Sequence, residues 1–157
     1  MKKTSPPSEA SSEKLVGSRP EKSLLLGWSG LALYIGLGIG LEALHALKVG
    51  FYLDPSNSAR RLMWTLSHVH GTLFSLLLIA LAFTSYRVER PENRARFKMA
   101  SLAMKIGWLL TPVGFFLGGL QLFGGDPGWG IFLVPVGALS MLFGVSQVAW
   151  ACRSHLP

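Results

Sequence analysis

Glutamate and histidine side chains interrupt two otherwise apolar stretches of this chain: Glu42 and His45 in the first, His68 and His70 in the second. An ionisable group in hydrocarbon costs at least about 2.5–3.5 kcal/mol on insertion scales, so such a group marks a candidate site. Carboxylate and imidazole together suit zinc, copper or iron, and two imidazoles suit a heme iron. Glu42 and His45 stand three apart, about 60° around a helix, and Glu-x-x-His is a spacing by which helical bundles present two metal ligands inward. His68 and His70 stand about 200° apart on a regular helix and cannot share one small ion. Their jobs must differ.

The elements that carry them are membrane spans. The chain has 157 residues, half of them hydrophobic, and a bilayer crossing needs roughly 20 mostly apolar residues. Four segments qualify, at about 24–49, 62–86, 99–123 and 129–152, so the fold class is an all-α integral membrane four-helix bundle over 23–153. Residues 1–22, rich in Ser, Pro, Glu and Lys, read as a disordered tail. That tail lacks the apolar core of a cleavable signal peptide. A single cysteine, Cys152, excludes an intramolecular disulfide or a multi-cysteine metal site, and an inert thiol is favoured there over palmitoylation.

The net charge of +7 is placed as a topology signal and not as a nucleic-acid footprint. Eleven of the fifteen Lys and Arg fall in the tail (Lys2, Lys3, Lys14, Arg19, Lys22), the second loop (Arg87, Arg90, Arg94, Arg96, Lys98) and the C-terminus (Arg153). These three regions share one side of a four-span chain. Lys48, Arg60 and Arg61 lie on the other, and Lys105 falls within the third span. The positive-inside rule therefore expects both termini in the cytoplasm, as in a multi-pass protein of a bacterial-type inner membrane, with some attraction to anionic lipid of the surrounding bilayer.

Small residues suggest how the spans pack. GLGIG in the first span has no strand before it, so the dinucleotide-loop reading fails. Gly36 and Gly40 make a small-xxx-small pair that admits another helix, and Gly114 and Gly118 do the same in the third span. Asp54-Pro55 should initiate a turn, GGDPGWG should close one tightly, and Trp64, Trp108, Trp129 and Trp150 suit an interfacial belt. Short loops make sequential spans antiparallel neighbours, so spans one and two should touch. Counting 1.5 Å per residue, Glu42 lies about 12 Å below Gly50 and His68 about 12–13 Å below Arg60. Equal depth would let Glu42, His45 and His68 meet inside the bundle, with Gln121 near enough to join and Gln147 too far.

On span two, the His68 face also carries Arg61, Thr65, Thr72 and Ser75, a polar stripe expected to point inward. The His70 face carries Met63, Phe74, Leu77 and Leu81, and should meet lipid or something flat and apolar: a porphyrin, a quinone or another subunit. The run Trp64-Thr-Leu-Ser-His-Val-His-Gly-Thr-Leu73 resembles the second helix of the heme-copper oxidase catalytic subunit family, in which a His-Gly after a short Thr-containing run supplies an axial ligand of the low-spin heme. The resemblance covers residues 24–86 and implies His70, beside Gly71, as a ligand of heme b. It does not extend to an oxygen-reducing centre, because spans three and four contain no histidine. The second axial ligand would then be His45, or His70 of another copy in a homo-oligomer.

The leading expectation is thus a small membrane protein that binds heme through His70 and His45, or a transition metal (Cu, Zn or Fe) through Glu42, His45 and His68. Two others stand beside it. One is a non-catalytic accessory subunit of a larger membrane complex, in which the polar groups only hydrogen-bond one another. The other is a proton- or quinone-linked small transporter using Glu42, against which the 11-to-3 charge asymmetry argues. No Ser-His-acid order, His-Glu-x-x-His or glycine-rich phosphate loop supports an enzyme acting on its own.

Overall fold

A computed structural model describes the backbone of residues 9–153 and the side chains of residues 21–56 and 58–153. Four helices are long and apolar enough to cross a membrane: α1 (Glu9–Ala46), α3 (Ser58–Val88), α4 (Arg94–Leu120) and α5 (Leu133–Arg153), with a short α2 (Gly50–Leu53) between the first two. Of the tail expected to lack structure, residues 1–8 lie outside the described residues. From Glu9 onward the backbone is helical and continuous with the first span. Once an apolar span has nucleated a helix, each further residue extends it at low cost, which overrides the polar composition.

The helices pack in sequence order, α1 on α3, α3 on α4 and α4 on α5, and no comparable packing joins α1 to α5. The arrangement is therefore closer to a row than to a closed bundle. Its two central helices bury much more of their surface than its outer ones. The inward face of α1 holds Ser23, Gly27, Gly30, Leu31, Tyr34 and Leu41, all buried and recurring at helical periodicity, with Ser23 bonding Ser101 of α4. Helix α3 is covered on two sides, with Gly71 and Ser75 toward α1 and Phe74 and Leu78 in the core shared with Phe97, Met104 and Met141.

Close approach of α4 to α5 rests on small residues seven apart. Ala100, Gly107 and Gly114 on α4 meet Gly144, Gly137 and Gly130 at the other face. A Cβ on Gly107 would stand 2.8 Å from the Gly137 carbonyl oxygen, and one on Gly114 would stand 3.0 Å from that of Gly130. Of the pairs singled out in the sequence, Gly114 is buried in this interface and Gly118 has only ordinary contacts, whereas Gly36 and Gly40 are exposed with nothing near them. The α1 face bearing Gly36 and Gly40 is turned away from α3.

The connections follow local chemistry. Asp54 Oδ1 accepts from the Ser56 N–H at 2.9 Å and starts a short 3-10 turn over Pro55–Asn57, as the Asp-Pro pair implies. In the third loop, β1 (Leu122–Phe123) pairs antiparallel with β2 (Asp126–Pro127) around Gly124 and Gly125, whose φ angles of +61° and +94° only glycine adopts freely. Helix α1 ends in a pair of hydrogen bonds: the Val49 N–H donates to Leu44 O and the Lys48 N–H donates to His45 O, both at 3.1 Å. This cap places Lys48 at φ +52°, a left-handed conformation costing a residue with a Cβ about 1–2 kcal/mol. Lys48→Gly is expected to raise stability by about 1 kcal/mol in a denaturant titration of the detergent-solubilised protein. No change would mean that the left-handed cap is not formed.

Tryptophans divide by role. Trp129 and Trp150 are exposed near helix ends, where a belt would place them. Trp64 is instead buried, lying between the rings of Tyr52 and Phe116 at centroid distances of 6.2 and 5.6 Å. Trp108 is half-buried against Gly30, its Nε1–H donating to Ser75 Oγ at 2.8 Å. Both face protein, where an indole with a partner for its N–H is stable.

Candidate functional site

Registration of α1 against α3 decides which of the four ionisable residues meet. Four approaches define it: Gly27 against Ile79, Gly30 against Ser75, Tyr34 against Gly71, and Gly38 against His68. Continuing outward by one helical turn, about 6 Å, places Glu42 level with Trp64, and a further turn places His45 level with Arg61. His68 therefore lies about one turn deeper than Glu42 and about two turns deeper than His45. The expected equality of depth is corrected, and its cause is the helix ends: α1 stops at Ala46, not Val49, and α3 begins at Ser58. Glu42 and His45 are both exposed, and no hydrogen bond or ion pair joins either to His68. Among the described residues, no three His, Cys, Asp or Glu side chains gather in a group able to hold a metal ion.

His68 is half-buried between α3 and α1. Its Nδ1 lies 2.7 Å from the backbone oxygen of Tyr34. A carbonyl oxygen can only accept, so Nδ1 is the donor in this bond. Gly38 makes the room, because a Cβ there would stand 2.5 Å from His68 Cε1. Within the expected polar stripe, Ser75 is fully buried and points to α1, while Arg61 and Thr65 are exposed and Thr72 Oγ1 is buried without a hydrogen-bond partner. The stripe is inward at its deep end and outward near its start.

His70 lies on the other side of α3, as the i, i+2 spacing requires. Its Nδ1 is 2.9 Å from the Leu66 oxygen one turn back on the same helix. The same argument makes Nδ1 the donor here. The ring is half-buried, tilted at 35° to Phe115 of α4 with centroids 5.0 Å apart, and edge-on to Phe74 at 5.8 Å. The face predicted to meet lipid or a flat ligand is covered largely by α4: Met63, Phe74 and Leu81 are buried there. His70 sits with an aromatic wall on α4. His45 is exposed near the end of α1, level with Arg61 and about two turns outward of His68, and no ring contact joins it to His70, so one chain presents a single imidazole here.

A stronger polar feature was not singled out in the sequence. Arg60, Trp64 and Ser67, at i, i+4 and i+7 on α3, donate to three successive turns of α4. Arg60 Nε reaches Gly119 O at 3.1 Å, Trp64 Nε1 reaches Phe116 O at 3.1 Å, and Ser67 Oγ reaches Pro112 O at 2.8 Å. Arg60 Nη1 also donates to Phe51 O at 3.0 Å, and the guanidinium lies 3.8 Å from the centroid of the Phe51 ring. The i, i+4, i+7 spacing of three donors was visible, but nothing in the sequence identifies carbonyl partners on another helix. Gln121, expected near the cluster, is exposed, and Gln147 pairs loosely with Arg96 at 3.4 Å.

A scan against family models, a search of curated proteins and a search of solved structures each return no match to this chain.

Proposed function

We propose that this protein is a membrane-embedded helical subunit that holds a heme through His70. The observation that supports this reading most is the 2.9 Å approach of His70 Nδ1 to the Leu66 carbonyl oxygen, which makes Nδ1 the donor and Nε2 the nitrogen that a heme iron would take. Metal-ligating histidines characteristically donate their other N–H to such an acceptor, which fixes ring orientation and raises basicity. A bare ion is a poorer fit, since Glu42 and His45 do not join His68 and three donors do not converge. Porphyrin supplies four nitrogens itself and asks the protein for axial ligands only. The Phe115 and Phe74 rings beside His70 offer an apolar wall of the kind a macrocycle needs.

The test is a visible spectrum of the purified protein before and after dithionite, with elemental analysis of the same sample. The expected result is a Soret band that shifts on reduction, is lost in His70→Ala, and survives in His68→Ala. A colourless wild-type protein, or a band indifferent to His70→Ala, overturns the reading.

A second reading, as an accessory subunit of a larger membrane complex, is favoured by the uncovered outer face of α1 and its open Gly36 and Gly40. It expects co-purification with other membrane chains and a colourless isolated protein. His68 would then serve as a latch between α1 and α3 through Tyr34 O.

A further inference from the structure

At the opposite end of the molecule from His45, the basic end, the N-terminal part of the α1 span, the C-terminal turns of α3 and the start of α4 enclose an open groove of about 630 Å³. That is within the roughly 300–1,000 Å³ of ordinary ligand pockets. One wall is apolar, formed by Leu24 and Phe83, and continues into the membrane-length faces of α1 and α3. The rim is charged: Glu21 and Glu89 stand with Arg90 and Arg94.

Charge is the informative part. The surrounding region is basic, with Arg87, Arg96 and Lys98 nearby, yet the groove itself is lined by two carboxylates and two guanidiniums. Glu89 and Arg94 approach only to 3.7 Å, with the arginine side chain 44% and the glutamate side chain 25% exposed, so neither is consumed by the other. Neither Glu21 nor the Arg90 guanidinium makes a hydrogen bond or ion pair among the described residues. A purely anionic ligand would leave both glutamates facing like charge. An apolar tail, a phosphate and an ammonium on one molecule would satisfy all three parts of the lining. Guanidiniums bind phosphate oxygens in a forked geometry, and a primary ammonium carries three donors for carboxylates. The groove also lies where the apolar spans give way to charged residues, the level of lipid headgroups.

We infer that this groove holds one phospholipid with a zwitterionic, primary-ammonium headgroup, its phosphate on Arg90 and Arg94, its ammonium on Glu21 and Glu89, and the upper part of an acyl chain along Leu24 and Phe83. The inference is independent of heme binding.

The experiment is thermal melting of the full chain in detergent, after delipidation, with phosphatidylethanolamine, phosphatidylcholine or phosphatidylglycerol added at equal mole ratio and with identical acyl chains. Native mass spectrometry would count the lipid retained. The expected result is a larger upward shift of the midpoint with phosphatidylethanolamine than with either other lipid, and one retained molecule. Arg90→Gln and Glu21→Gln should each abolish that difference, while Arg87→Gln, outside the groove, should keep it. Equal shifts from all three lipids would mean unselective coating and overturn the inference. A larger shift from phosphatidylglycerol would make the arginines dominant and overturn the zwitterionic assignment. A phosphatidylethanolamine preference that survives both groove variants would place the lipid elsewhere and also overturn it.

Discussion

Gly137→Ala is expected to destabilise the protein by about 3 kcal/mol, the upper range for overpacking a well-filled interface. The added Cβ would meet Thr111 Oγ1 and lie 2.7 Å from the Thr111 backbone nitrogen and 3.0 Å from Leu110 Cβ. Backbone cannot swing aside as the tip of a long side chain can, so α5 must move off α4. The same step that separates them disrupts the neighbouring contacts at Gly107 and Gly144. Gly36→Ala is the matched control: that position is helical, exposed and open, so alanine should stabilise by about 0.5–1 kcal/mol through helix propensity. Sodium dodecyl sulfate titration followed by tryptophan fluorescence would read both. Equal tolerance of the two variants would show that α4 and α5 do not approach through Gly137.

Arg60→Met should cost about 3 kcal/mol while keeping an unbranched side chain as apolar as the arginine stem. Arg60 is 9% exposed, and its guanidinium ties the C-terminal end of α4 at Gly119 O to α2 at Phe51 O. A charge-assisted bond contributes about 1.5–3 kcal/mol. A cation at a helix C-terminus adds about 0.3–1 kcal/mol, and its position over the Phe51 ring a further 0.5 kcal/mol or more. Desolvation of the guanidinium offsets part of this, which keeps the expected total near that of the bonds alone. Ser67→Ala, which removes one neutral interhelical bond to Pro112 O, should cost only about 0.6 kcal/mol. Arg60→Lys is expected to rescue little, because one ammonium cannot reproduce a fork that serves two carbonyls on different elements. Losses of similar size in Arg60→Met and Ser67→Ala would refute this ranking.

Much of the scaffold is legible in the chain because membrane spans are declared by composition. Four apolar runs, the Asp54-Pro55 turn and the Gly124-Gly125 hairpin all follow from residue types whose physics is local. The separation of His68 from His70 follows equally, since 200° on a helix puts them against different neighbours whatever those neighbours are. Even the small residues of the α4–α5 interface were in plain view as glycines seven apart. The four-residue spacing at Gly36 and Gly40 leads instead to an open face.

What the sequence could not determine was register and which face is covered. Periodicity assigns residues to a face but is silent on how far one helix slides along the next. Ends shifted by three or four residues moved Glu42 a full turn away from His68. It is also silent on the order of packing. A closed bundle would have one axis for every polar face to share, and a row with α1 and α5 apart has none. The Glu-x-x-His pair is exposed near the end of α1, and α3 spends its donors on the carbonyls of α4. The residue types and their angular spacing belong to the chain itself. Their partners were decided only when the helices docked, because docking is set by the sum of many close-packed contacts and not by any single polar pair.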